Sequence, residues 1–191
     1  MKSFNKIFKD TFAVMILFQQ AYINLYREYK HELKALYLQA FTKGISAQHI
    51  SDDEAKNYLD EMFRDGYGIF GFSDNQLIAA LISVSPSLDK ERPASIQNHY
   101  PDKDTEYIAE VLVDENFRGM GIGKKIMQKY ENQLSETTKH VLLRVWDKNE
   151  AAVSLYQKSG FTACGSIDQT KFKPITKEPF TMHKIYMLKT Y

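Results

Sequence analysis

The segment Val111-Leu-Val-Asp-Glu-Asn-Phe-Arg-Gly-Met-Gly-Ile-Gly-Lys124 narrows the folds open to this chain more than any other. An apolar, strand-like run enters it and an amphipathic, helix-like run leaves it. Gly119, Gly121 and Gly123 let the backbone approach a ligand without Cβ atoms in the way. Their amides, backed by the positive end of the following helix, predict an anion cradle. Arg118, Lys124 and Lys125 add positive charge at the same place, and a pyrophosphate is a natural guest. The plainer alternative is a tight strand-to-helix connection that happens to contain glycines. Two other nucleotide motifs fail here on register. The dinucleotide fingerprint G-x-G-x-x-G puts its third glycine elsewhere. The P-loop G-x-x-x-x-G-K-[ST] would need glycine where Arg118 stands and Ser or Thr where Lys125 stands.

The 191 residues suit one domain spanning 1–191. The formal net charge of +1 supplies no overall field for nucleic acid or an anionic membrane, so any anion site must be local. Cys164 is the single cysteine, which rules out an intrachain disulfide and thiolate-rich zinc sites and fits a cytoplasmic location. His31, His49, His99, His140 and His183 are scattered without ligand spacing, so no metal is expected. Near the start, Lys2, Lys6 and Lys9 precede the apolar run Phe12 to Phe18, a weak likeness to a secretion signal. Asp10, the shortness of the run and the lack of a cleavage site favour a core-facing segment. No stretch is long enough to span a bilayer.

Periodicity supplies the rest of the outline. Residues 11–29 mix helix and strand signals, and a strand within 22–27 is expected. Leu33, Leu36, Tyr37, Ala40 and Phe41 form one helical stripe that Gly44 can end. Ser51 and Glu54 form a capping box opening a second helix, which Gly66 stops. Tyr67 to Phe72 and Leu77 to Val84 read as a hairpin around Ser73-Asp74-Asn75-Gln76. Residues 85–105, with Pro86, Pro93 and Pro101, read as an irregular excursion. A strand over 106–113, the glycine turn and a helix through Ile126, Met127, Tyr130 and Leu134 follow. Next come a buried strand over 141–145, a short helix capped by Asn149 and ended by Gly160, and strands at 161–167 and 182–188. The order predicts a mixed α/β domain.

A second motif stands about 30 residues downstream of the first. Arg118-Gly-Met-Gly-Ile-Gly123 looks like the Q/R-x-x-G-x-G/A signature of the GNAT acetyltransferase superfamily. Asn149-Glu-Ala-Ala-Val-Ser-Leu-Tyr-Gln-Lys-Ser-Gly-Phe161 resembles the same superfamily's N-x-x-A-x-x-L-Y-x-x-x-G-F motif, in the right order and at the right separation. The close resemblance covers roughly residues 106–167. Residues 31–84 match only as helix-helix-hairpin order, and the first 25 residues match nothing specified.

The resemblance implies a twisted, mostly antiparallel central sheet of six to seven strands with a splayed central pair, flanked by about four helices. It implies acetyl-CoA as cosubstrate. Its pyrophosphate would lie on the amides of Arg118, Gly119, Met120, Gly121, Ile122, Gly123 and Lys124. Its pantetheine would lie on the backbone of Val111, Leu112 and Val113 and on Asn149, with Tyr156 near the thioester sulfur. Each residue has a plainer role beside this one. Asn149 caps a helix in either case. Tyr156 sits on an apolar stripe and could be core. Arg118 could be a solvated charge, and Lys158 an exposed helix lysine rather than a phosphate contact. Glu110 is a candidate base, or a structural carboxylate paired with Arg144. The implied reaction is direct acetyl transfer to a primary amine of a small molecule or protein, with Tyr156 as acid. A catalytically degenerate acyl-CoA sensor is the alternative. Residues 85–105 are expected to help form the acceptor site or its lid. Neither nucleic acid nor membrane is an expected partner, and a homodimer stays open.

Overall fold

A computed structural model describes residues 15–44 and 47–191. Its hairpin joins β2 (Tyr67–Ser73) to β3 (Gln76–Val84) as the sequence predicts. Asp74 and Asn75 both hold positive φ, 48° and 64°, a conformation that short polar side chains tolerate and that matches the twist of the flanking strands. β1 (Leu17–Ala21) pairs antiparallel with β2, and β4 (Thr105–Val113) pairs antiparallel with β3. β5 (His140–Trp146) runs parallel to β4. β7 (Pro179–Thr190) and β6 (Thr162–Phe172) complete a seven-stranded sheet of order β1-β2-β3-β4-β5-β7-β6.

Helices cover both faces. α1 (Ile23–Glu28), α2 (Lys30–Thr42) and α3 (Asp52–Asp65) lie on one side. α5 (Ile122–Glu131) and α6 (Glu150–Lys158) lie on the other, and α4 (Ala94–His99) interrupts the connection from β3 to β4. Six helices stand among the described residues where about four were expected. The two surplus ones are single six-residue segments. α1 also corrects the expected strand at 22–27. Tyr26 is buried, stacks on Phe63 at 4.4 Å between ring centroids and donates to Asp60 at 2.6 Å. Docking on α3 thus decides a segment whose own pattern allowed either period. The strand lies just before it, at β1. There Met15 and Leu17 are exposed while Ile16 and Phe18 are half-buried, the alternation of an edge strand rather than a wholly core-facing run. Phe12, Ala13 and Val14 of that run lie outside the described residues.

Helix ends follow the local chemistry. Ser51 Oγ accepts from the Glu54 amide at 3.2 Å, and Glu54 accepts from the Ser51 amide at 2.7 Å, closing the capping box. Gly66 ends α3 for lack of space. A Cβ there would lie 2.4 Å from the Met62 carbonyl oxygen and 2.7 Å from that of Ser83. α5 stops at Glu131, short of Leu134. β6 and β7 run longer than expected because they form a projecting hairpin. The His49 amide donates to the Phe172 carbonyl at 2.6 Å, tying that hairpin to the α2–α3 connection.

One carboxylate binds the near end of the sheet together. Glu106 of β4 accepts from Tyr67 of β2 at 2.6 Å, Ser83 of β3 at 2.8 Å and Tyr130 of α5 at 2.8 Å. Removing it leaves three hydroxyls with a lost charged acceptor. Glu106→Ala should therefore lower the unfolding free energy by roughly 2–3 kcal/mol in urea denaturation. A loss under about 0.5 kcal/mol, the scale of an ordinary surface change, would show that the network carries no stability.

Candidate active site

β4 stays on β5 only from Thr105 to Ile108, against His140 to Leu143. Beyond that point β4 continues along β3 and β5 continues along β7, so the two strands part. The cause lies in the register with β3. Ile82 faces Glu110 while Ser83 faces Ile108, which leaves Ala109 as an extra residue in β4. Such a bulge bends and twists its strand. It also shifts the alternation of side chains. Ile108 packs with α5 and α6, whereas Glu110 contacts Tyr58 on α3. Val111 and Val113 then return to the α5–α6 side, and Leu112 to the other.

A cavity of about 1210 Å³ fills the space between the parted strands, the glycine turn and α6. Of the residues singled out for the cosubstrate, all but Met120 line it. They are Val111, Leu112 and Val113 on β4; Arg118, Gly119, Gly121, Ile122, Gly123 and Lys124 at the turn; and Asn149 and Tyr156 at α6. Met120 is exposed instead. Leu112 and Ile122 are otherwise buried in the core. Gly119 and Gly121 hold φ of +80° and +75°, the left-handed region that disfavours a Cβ, and each faces open space. Gly123 serves packing, since a Cβ there would come within 3.0 Å of Leu155 Cδ2 on α6. Arg118 is exposed, and its Nε donates to the Val113 carbonyl at 3.1 Å, bracing the turn against the strand that feeds it. Lys148 and Lys158 stand on the same cavity.

A smaller cavity of about 390 Å³ opens on the α3 side, with Glu110 in its wall. Phe41, Val111, Trp146, Asn149, Ala152 and Tyr156 belong to both cavities, so the two meet there. Asn149 is exposed and caps α6 through its side-chain oxygen, which accepts from the Ala152 amide at 3.3 Å. The Tyr156 ring packs in the core beside Phe161 at 6.1 Å and also reaches the junction. Burial first, and then the nearby Glu110 charge, push its phenol pKa upward, so it keeps its proton well past neutrality.

Glu110 accepts from Tyr58 at 2.7 Å. Burial pushes its carboxyl up to about 7, although the Tyr58 hydrogen bond and the charges of Lys184, Arg144 and Lys171 favour ionisation. The alternative pairing with Arg144 is not made. Arg144 instead meets Asp89 and Glu91, each at 3.2 Å, and Tyr186 donates to Asp89 at 2.8 Å. These contacts pin residues 85–105 to β5 and β7, and Arg92 holds Asp102 at 2.6 Å within the same segment. Only Glu91 of this segment reaches the smaller cavity.

Sequence reasoning missed Tyr37, Tyr58, Trp146, Lys171 and Lys184 as cavity residues. Tyr37 and Tyr58 lie on helical stripes that read as core, and the lysines lie in strands with no motif around them. No helix among the described residues is long and apolar enough to cross a membrane.

A family model described as Acetyltransferase (GNAT) family matches residues 23–161, well over half of the chain. The chain belongs to the GNAT acetyltransferase family. A spermine/spermidine N(1)-acetyltransferase of Bacillus subtilis is 33% identical over 69 residues, which are 35% of this chain and 45% of that protein. The match therefore spans less than half of that relative's length. Ribosomal-protein-alanine N-acetyltransferase from Brucella melitensis superposes with a TM-score of 0.67 at 18% identity, over 92% of this chain and 99% of that one. A Salmonella typhimurium protein described as an acetyltransferase, solved with its cofactor acetyl-CoA, superposes with a TM-score of 0.65 at 12% identity, over 92% and 94%. These structural likenesses establish the GNAT fold, with its mostly antiparallel sheet.

The raised Glu110 pKa makes a thermodynamic prediction. The folded state holds a proton on Glu110 between about 4.5 and about 7, where the unfolded chain releases it. Stability contributed by the protonated form is thus present at low pH and lost as pH rises through about 7. Urea unfolding across this window should show wild type declining relative to Glu110→Gln. Tyr58→Phe, which removes a donor to the charged form, should move the carboxyl midpoint higher in NMR titration. A Glu110 midpoint near 4.5 would contradict the burial described.

Proposed function

We propose that this GNAT-family chain transfers the acetyl group of acetyl-CoA directly to a primary amine of a small molecule or protein. The observation that carries this reading is the junction of the two cavities at Asn149 and Tyr156, with the glycine turn at one end and Glu110 at the other. The amine acceptor class is supported by the name of the Bacillus subtilis polyamine acetyltransferase.

The residues present fit the cosubstrate. Gly119 and Gly121 leave open space where any other residue would put a Cβ, and Arg118, Lys124, Lys148 and Lys158 surround that space with positive charge. The turn amides and the start of α5 would hold the pyrophosphate. The main chain of Val111 to Val113, free of β5, would hold the pantetheine arm together with Asn149. Acetyl-CoA, when bound, supplies the acetyl thioester.

The protein's own groups then manage two protons. Glu110 takes one from the attacking amine, and its pKa of about 7 suits a base working near neutrality. Tyr58 keeps the carboxylate oriented. Tyr156, protonated at this pH, gives a proton on the thiolate side. Base and acid approach the junction from different elements, β4 and α6, as the two ends of a carbonyl transfer require. Glu91, held by Arg144, contributes to the acceptor wall.

Two substitutions test the roles. Tyr156→Phe should lower turnover at least about tenfold while sparing acetyl-CoA affinity, the mark of an interaction made in the transition state. Glu110→Gln should do the same and erase the fall in rate below pH about 7. Full turnover in Tyr156→Phe would return that tyrosine to the core. An unchanged pH profile in Glu110→Gln would place the base elsewhere. On the cosubstrate side, Gly121→Val should weaken acetyl-CoA binding by about tenfold or more, the worth of a lost charge-assisted hydrogen bond, in a protein whose circular dichroism is unchanged. Equal affinity in calorimetry would refute the cradle. Acetyl-CoA binding with no thiol release on any amine would favour the acyl-CoA sensor.

A further inference from the structure

The charges around the smaller cavity are unevenly committed. Glu91 meets Arg144 at 3.2 Å and also accepts from Gln169. Arg144 is further satisfied by the buried Asp89 at 3.2 Å. Glu110 takes its hydrogen bond from Tyr58. The lysines differ. Lys184 on β7 and Lys171 on β6 both line the cavity, and neither is ion-paired among the described residues. The strand register explains their placement. Lys184 stands opposite Ile167, and Lys171 follows Ile167 by four residues, so both project from the same face of the hairpin. That face also carries Gln169 and Met182, which line the same cavity.

Lys184 is half-buried, and burial, Arg144 and Lys171 depress its pKa to about 8, while Glu110 and Glu91 oppose this. An ammonium held at such a place without a direct ion pair is costly, and an anion arriving with the substrate would relieve the cost. The same two charges oppose a substrate whose far end is a second ammonium.

We propose that Lys184, assisted by Lys171, forms an anion subsite in the acceptor cavity, and that the acceptor is a small primary amine carrying a carboxylate or phosphate at its far end. This rests on the acetyl-transfer function proposed above. The amine end meets Glu110 and the Tyr156 junction. The anionic end reaches the β6–β7 hairpin. Tyr37, Tyr58 and Tyr107 also line this cavity. A cavity of about 390 Å³ suits a small molecule of this kind.

The test compares 4-aminobutyrate and O-phosphoethanolamine with butane-1,4-diamine and butylamine. Thiol release gives kcat/KM for each in wild type, Lys184→Met and Lys184→Arg. Wild type should prefer the anionic amines over the diamine by about tenfold or more, the worth of one charge-assisted contact. Lys184→Met should collapse that ratio, Lys184→Arg should keep it, and Lys171→Met should reduce it less. The ratio is read within each variant, so an altered Glu110 proton affinity affects both arms alike. Comparison of the carboxylate with the phosphate identifies which anion the subsite takes. A wild-type preference for the diamine, or a ratio unmoved by Lys184→Met, would overturn the proposal. If wild type turns over none of the four, kcat/KM gives no ratio to read. Calorimetric titration of the same amines into the CoA-bound protein then decides the subsite alone. Tighter binding of the anionic amines, lost in Lys184→Met, supports it, and equal binding of all four defeats it.

Discussion

The parting of β4 from β5 is the constraint on which the rest of the molecule depends. Parallel pairing holds for four residues and then ends, because Ala109 is an extra residue against β3 and turns the strand away. A strand that stayed paired would spend its outer hydrogen-bonding edge on β5. The departing one leaves that edge facing a cavity, with no change in its pairing to β3. Each strand keeps a partner on its far side, so the gap costs the sheet little. Glu106, bound to β2, β3 and α5 just before the bulge, anchors the closed end of the wedge.

The same bulge decides where Glu110 points. Simple alternation from Ile108 would send it into the α5–α6 core, where a carboxylate would have no partner. The extra residue sends it toward Tyr58, into a cavity wall where burial raises its proton affinity. Arg144 takes part by being occupied elsewhere. Had it closed on Glu110, the carboxyl would sit well below neutrality and serve only as a strut. Asp89 and Glu91, delivered by the segment between β3 and β4, satisfy the guanidinium first. That segment is therefore a pinned arm of the domain, and it reaches the smaller cavity through Glu91.

Local signals were legible wherever short-range chemistry controls the backbone. The Ser51–Glu54 capping box, the Asp74-Asn75 turn, the Asn149 cap and the left-handed glycines at 44, 119, 121 and 160 all stand where the residues require. Errors came where local chemistry was silent. The helix at Ile23–Glu28 exists because Tyr26 stacks on Phe63, a partner 37 positions away by number. The short helix at Ala94–His99 buries Ile96 against a β-hairpin that lies far along the chain. The extra length of β6 and β7 depends on pairing with each other, since their outward positions carry polar residues that mimic a loop.

The sequence by itself determined the glycine turn, its helix and the second motif. Glycine φ values, cap geometry and helix periodicity are properties of a few neighbouring residues. It therefore determined the family and the glycine-turn wall of the larger cavity. Only the tertiary structure decided the smaller cavity around Glu110. Tyr58, Lys171 and Lys184 come from α3, β6 and β7, elements whose sequences carry no mutual signal. Their meeting with Glu110 depends on how the sheet twists, where one residue bulges and which partner Arg144 reaches first. Burial and long-range charge govern the proton affinities there, and neither is a function of sequence spacing.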